Sequence, residues 1–160
     1  MSNTNKWRPH TTGIVIGGLV LILVALVVSY MLRNFQPLTE VRLGSGVFST
    51  RVAATDAARI RGLSGVDHLD ANSGLLMIFQ SDDKWDIWMK DMKIPLDIIW
   101  MNNDKKVIYI VTNASPDLGT SKTFKPEVPA RYVLEIPAGT VKSAGIKIDT
   151  TATFSITEVQ

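Results

Sequence analysis

The chain has 160 residues with 46% apolar and 20% charged, which is one domain's worth, or a small domain with an appendage, and excludes a fully disordered chain. Cysteine is absent and the only histidines are His10 and His68, which excludes disulfides, thiolate metal sites, cysteine nucleophiles and a histidine-rich zinc site. The net charge of +2 comes from Lys6 and Arg8, because the 15 basic residues after residue 32 match the 15 acidic ones; neither this balance nor any basic run with interleaved aromatics points to nucleic acid.

Residues 1–12 form a short polar tail. Residues 13–32 (GIVIGGLVLILVALVVSYML) are twenty positions without a charge. As a helix they would be about 30 Å long, one hydrocarbon thickness. A buried core helix would keep a polar stripe, and this run has none. A cleaved signal peptide is the competing reading, but Ser29 to Arg33 offers no small-residue cleavage site. The run therefore predicts an uncleaved transmembrane signal-anchor, with the lipid bilayer as its partner. Lysine and arginine flank both ends and orient it weakly. A short tail before a larger domain favours a cytoplasmic N-terminus and a C-terminal domain outside the cytoplasm.

Residues 33–46 lack apolar periodicity, contain Pro37, Gly44 and Gly46, and read as a linker to a domain over 47–160. VFSTRVAA (47–54) reads as a strand. Thr55 then caps a two-turn helix, DAARIRGL, that stops at Gly62. LLMIF (75–79) and DIWMK (86–90) read as strands. DIIWM (97–101) and VIYIVT (107–112) flank a polar pentapeptide like the arms of a hairpin. Residues 113–130 carry three prolines and read as a long loop. RYVLEI (131–136) is a strand, 137–144 a helical turn, and 149–157 a closing strand. Most connections are too short for parallel crossovers. The prediction is a mainly β (α+β) domain, a small curved antiparallel sheet or partly open β-barrel with one or two short helices. Phe48, Phe79, Trp100, Tyr109, Tyr132 and Phe154 should fill its core.

The stretch from Trp85 to Asp97 is the densest in chemistry. Trp88 and Met89 are adjacent in a strand and must face opposite sides. Lys90 follows at the strand end, Pro95 forces a turn, and Asp97 opens the next strand. An aromatic plate beside a cation and carboxylates suits a sugar or small zwitterion; equally, Trp88 packs in the core and Lys90 pairs with Asp97 across the turn. RIRGLSGVDHL, GLLMIF, WMKDMKIPLDIIW and RYVLEIPAGT together resemble the domain of unknown function 192 family, small exported or membrane-anchored bacterial and archaeal domains. The resemblance covers roughly 47–156 and rests on Arg59, Gly62 and Leu63, on Trp88, Met89 and Lys90, on Pro95, Leu96 and Asp97, and on Val133, Leu134, Glu135 and Gly139. The chain departs from the family pattern at Ser64 and at Asp91-Met92. The resemblance implies a compact, mostly β fold and no established reaction.

Arg59 reads as a structural ion pair to Glu135 or Asp97, or as a receptor for a ligand carboxylate or phosphate. Asp97 and Glu135 are the natural acid–base pair if the domain is a hydrolase. Asp82, Asp83 and Asp86 lack calcium-loop spacing and read as a solvated turn. His68 beside Asp67 and Asp70 reads as a surface loop, and Ser64 with His68 four residues on is too local for a triad. No metal site or cofactor is expected. The sequence thus points to non-catalytic binding at the cell envelope of a polysaccharide, a small polar ligand or a partner protein. The nominated rim is Arg59, Trp88, Lys90, Asp97 and Glu135; an envelope hydrolase using the paired carboxylates, or a structural component of a membrane complex, is the alternative.

Overall fold

The computed structural model describes residues 11–34 and 38–156. Two units divide after residue 36. The first contains one helix, α1 (Thr11–Asn34). Its described side chains, residues 16–30, are exposed on every face. Among the described residues no helix is long and apolar enough to cross a membrane. The helix expected over 13–32 is present, and a membrane crossing by it is not shown. Residues 1–10 of the tail, 35–37 of the linker and 157 of the closing strand lie outside the described residues.

The second unit is mainly β. The strands β1 (Thr39–Leu43) and β2 (Gly46–Ala53) form an antiparallel hairpin. Residues 39–46 of the stretch read as a linker are therefore a hairpin, Arg33 and Asn34 belong to α1, and Gly44 is turn chemistry. Gly44 sits at φ +60, and a Cβ there would come within 2.3 Å of the Ala144 carbonyl oxygen. Only glycine meets both demands. The helix α2 (Asp56–Arg61) starts where the sequence predicts, with Thr55 Oγ1 accepting from Ala58 N–H, and stops at Gly62 with φ +52.

This helix lies in a crossover, so β2 pairs in parallel with β3 (Ser73–Asp83). That is one departure from the expected antiparallel order, and a 19-residue connection through a helix permits it. Strand β8 (Ala130–Pro137) lies between β3 and β5 (Leu96–Met101), antiparallel to both, and β6 (Val107–Ala114) pairs with β5. The order is β1-β2-β3-β8-β5-β6, an open sheet. The strand expected over 86–90 is only two residues long, β4 (Ile87–Trp88), paired with β7 (Thr123–Phe124) in a separate ribbon. The loop expected over 113–130 thus holds this strand and a 3-10 turn, Pro116–Leu118. The last helix, α3 (Thr140–Ser143), is one turn. The expected closing strand is reduced to two bridges, Thr153 with Arg42 and Thr151 with Lys106. They touch both edges of the sheet, so the segment covers backbone groups that an edge strand leaves unpaired.

Alternation along the strands divides the core in two. Leu76, Ile99, Leu134 and Ile136 face one layer with Phe48 and Phe154; Leu75, Met77, Ile98, Trp100 and Val133 face the other. Strand β5 is buried at all six positions. Of the six aromatics expected inside, five are buried and Tyr109 is partly so. Burying each such side chain contributes about 1.5–3 kcal/mol, so the interior strands β8 and β5, each paired on both sides, are a firmly held platform for a site.

Candidate functional site

A cleft of about 370 Å³ opens on the Leu75–Ile98 face, between α2 and the segment around β4. One wall is a stack of three groups. The Arg59 guanidinium lies over the Phe79 ring, 5.0 Å from its centroid, and Phe79 stacks on Trp85 with centroids 4.3 Å apart. Arg59 Nη1 donates to the carbonyls of Ala54 and Ile78, at 2.6 and 2.5 Å, and Nη2 pairs with Asp56. These bonds and the ring beneath fix the guanidinium, so it is part of the wall. The ion pair expected from Arg59 to Glu135 or Asp97 is not formed. Asp56 is one helical turn away, at i−3, and is the nearer partner.

Another part of the wall carries Trp88 and Lys90, both exposed. Met89 is buried at 1% exposure while Trp88 is 41% exposed, the opposition that strand alternation requires. Trp88 is therefore a surface plate on the cleft and not core packing. Two bonds hold this wall against the loop after α2: Ser64 Oγ donates to the Lys90 carbonyl at 2.8 Å, and Gly65 N–H donates to the Asp91 carbonyl at 2.8 Å. Asp91 adopts φ +54 to make that turn. Ser64 and Asp91, positions where the sequence departs from the family pattern, thus lie on either side of one contact.

Glu135 forms the floor. It faces Leu75 on β3 and Ile98 on β5, both buried. Its Oε2 is buried without a hydrogen-bond partner. A Cβ at Gly62 would sit 3.8 Å from that oxygen and 3.5 Å from Met77 Cε, so the glycine that ends α2 roofs the carboxyl closely. Burial pushes the Glu135 carboxyl up to about 8, because desolvation penalises the charged form. At neutral pH it is chiefly the neutral acid, able to donate as well as accept a hydrogen bond.

Asp97 does not join this site. It faces Ile136, one position from Glu135 on β8, and so lies on the opposite side of the sheet. It is fully buried and accepts from Asn113 N–H and Val141 N–H, each at 2.8 Å. Gly139, which precedes α3, supplies no side-chain cap. The Asp97 carboxylate takes that place from the neighbouring strand. The expected pairing of Lys90 with Asp97 is likewise absent, and the two carboxylates nominated for acid–base work are separated by the sheet.

The cleft therefore brings together Arg59, Trp88, Lys90 and Glu135 and leaves out Asp97. Sequence reasoning missed Arg61, Ile60, Met77 and the Phe79–Trp85 stack. Alternation along β3 was the available signal for Met77 and Phe79, since residues 75, 77 and 79 share one face. Nothing local marked Trp85. Of the three clustered aspartates, Asp82 pairs with Arg131 and Asp86 with Lys125 at 3.1 Å. His68 is exposed and pairs with Asp70 at 3.0 Å. Among the described residues no group of three or more potential ligands could hold a metal ion.

A family model described as Uncharacterized ACR, the domain of unknown function 192, matches residues 39–154. A crystal structure of a protein of unknown function from Novosphingobium aromaticivorans DSM 12444 is 29% identical, covers 71% of this chain and 83% of its own, and superposes with a TM-score of 0.68. A second, from Sinorhizobium meliloti 1021 and described as a "putative transcription regulator", is 26% identical, covers 76% of this chain and 97% of its own, with a TM-score of 0.70. No curated protein matches the chain.

Proposed function

The chain belongs to the domain of unknown function 192 family, and on that premise we propose that its β domain binds a small polar ligand without turning it over. One observation carries the reading. A carboxyl oxygen without a hydrogen-bond partner is buried at the floor of a cleft of ordinary small-molecule size. An unsatisfied buried polar atom costs about 1–3 kcal/mol, and a ligand group that bonds Glu135 removes that cost. Trp88 supplies the plate on which the ligand lies and Lys90 a charge to orient it. Asp97, the second carboxylate that a paired-carboxylate hydrolase would use with Glu135, lies on the other face of the sheet, and the two aspartates that line the cleft, Asp56 and Asp86, are paired with Arg59 and Lys125. The folded part, whose charges balance, has no net positive charge to draw nucleic acid.

The wild-type chain should be stabilised against heat by at least one compound in a screen of small polar metabolites. Trp88→Ala and Lys90→Ala should lose that response while their own melting temperatures stay within about 2 °C of wild type, because exposed side chains contribute little to folding. Hits that stabilise both variants as much as the wild type would place the binding elsewhere.

The tether is the second part of the reading. Residues 13–32 carry no charge, and the apolar side chains described on α1 are exposed on all sides. Such a surface is stable in lipid and costly in water. The full-length chain should stay with membranes through alkaline carbonate extraction, and protease added to intact cells should remove the β domain. Release of the full-length chain into the carbonate supernatant refutes the anchor; a protease-resistant β domain refutes its extracytoplasmic placement.

A further inference from the structure

Resting on the reading of the cleft as a binding site, we propose that its ligand is a small organic anion with an apolar body, its carboxylate or phosphate held by Arg61 and Lys90 at the mouth. The charges around the cleft decide the sign. Five charged side chains besides Glu135 line it: Asp56, Arg59, Arg61, Asp86 and Lys90. Both aspartates are taken, Asp56 by Arg59 and Asp86 by Lys125. Arg61 and Lys90 are exposed and make no ion pair among the described residues. The floor adds no opposing charge near neutral pH, because burial keeps Glu135 in its neutral form. The unneutralised charge of the cleft is therefore positive, and an anion is drawn to it.

The rest of the lining sets the body of the ligand. Ile60 is 61% exposed and Trp88 41% exposed, and both border the same opening. Large apolar side chains exposed together at a mouth cover apolar surface of whatever enters. Arg61 follows Ile60 and Lys90 lies two residues beyond Trp88, so each cation accompanies one apolar side chain. Below them lie Met77 and Glu135, where the end of the ligand meets a hydrogen-bond donor. A wholly polar sugar would leave Ile60 and Met77 unmatched. A cationic amine would face Arg61 and Lys90 at the mouth and would have to ionise the buried Glu135.

Three probes share one body and differ in charge: phenylacetate, 2-phenylethanol and phenethylammonium. Titrated near pH 6.5 into the full-length chain, their binding is read from the indole resonance of Trp88, one of four tryptophans, assigned by its loss in Trp88→Phe. Phenylacetate should bind about tenfold more tightly than the alcohol, and the ammonium more weakly than either. Arg61→Gln and Lys90→Gln should each remove most of that preference, with thermal unfolding unchanged. An ammonium that binds as tightly as phenylacetate, or a preference that survives both substitutions, overturns the anion assignment and leaves the binding cleft standing. If no probe moves the Trp88 resonance at millimolar concentration, the cleft as a binding site falls, and the anion assignment with it.

Discussion

Glu135→Gln should be more stable than the wild type above pH 8, by up to about 5 kcal/mol, and nearly equal to it at pH 4. The folded chain holds the Glu135 proton up to about pH 8, whereas the ordinary value is 4.5. Between these values the folded state binds more protons than the unfolded one. Wild-type stability from this group is thus fully present below 4.5, declines as pH rises, and is lost through 8. Glutamine does not titrate and has nearly the shape of the neutral acid, so the difference between the two chains isolates one carboxyl. Urea unfolding of both full-length proteins at pH 4, 6 and 9 measures it. Parallel profiles across that range would mean that the floor of the cleft is wet and ionised, and that Glu135 is no neutral donor. A native chain retaining an acid at this position accepts a cost that leucine or glutamine would avoid. That cost is the physical reason for seeking the carboxyl's role in binding rather than in folding.

Local rules made much of the fold legible. Thr55 and Gly62 mark both ends of α2 because capping depends on neighbouring backbone only. The apolar runs at 97–101 and 131–136 became the interior strands β5 and β8 because burial on both faces leaves near-continuous hydrophobicity. What escaped was set by distant chain. The hairpin at Gly44 looks like a linker until Ala144 is packed against it. The closing segment reads as a strand by composition, yet finds only isolated partners at Arg42 and Lys106. The site divides along the same line. Trp88, Lys90 and Glu135 were nominated from residue type and do share a cleft, but the face that Asp97 occupies depends on the register of β5 against β8. A slip of one residue in that register exchanges every side chain between faces. No property of residues 95–97 alone could say that Asp97 points away from Glu135.

The separation of Asp97 from the cleft has a second large consequence. Asp97→Ala should lose about 3–5 kcal/mol of stability and lower the melting temperature by roughly 10 °C or more, without touching the walls of the cleft. The carboxylate receives Asn113 N–H from β6 and Val141 N–H from the first turn of α3, both at 2.8 Å. Bonds to a carboxylate contribute about 1.5–3 kcal/mol each, and alanine leaves the buried Val141 N–H and the partly buried Asn113 N–H without their acceptor. Asn113 sits at φ +58, a conformation that asparagine tolerates better than most residues, and its N–H is aimed at the Asp97 carboxylate. Asp97→Asn keeps one acceptor oxygen but turns an amide toward the other donor, so it should lose about half as much. The two classes of variant then separate cleanly. Trp88→Ala leaves melting unchanged and abolishes ligand response, whereas Asp97→Asn lowers melting and leaves the response of the folded fraction intact. An Asp97→Ala chain that melts with the wild type would show that α3 and the end of β6 stand without this carboxylate.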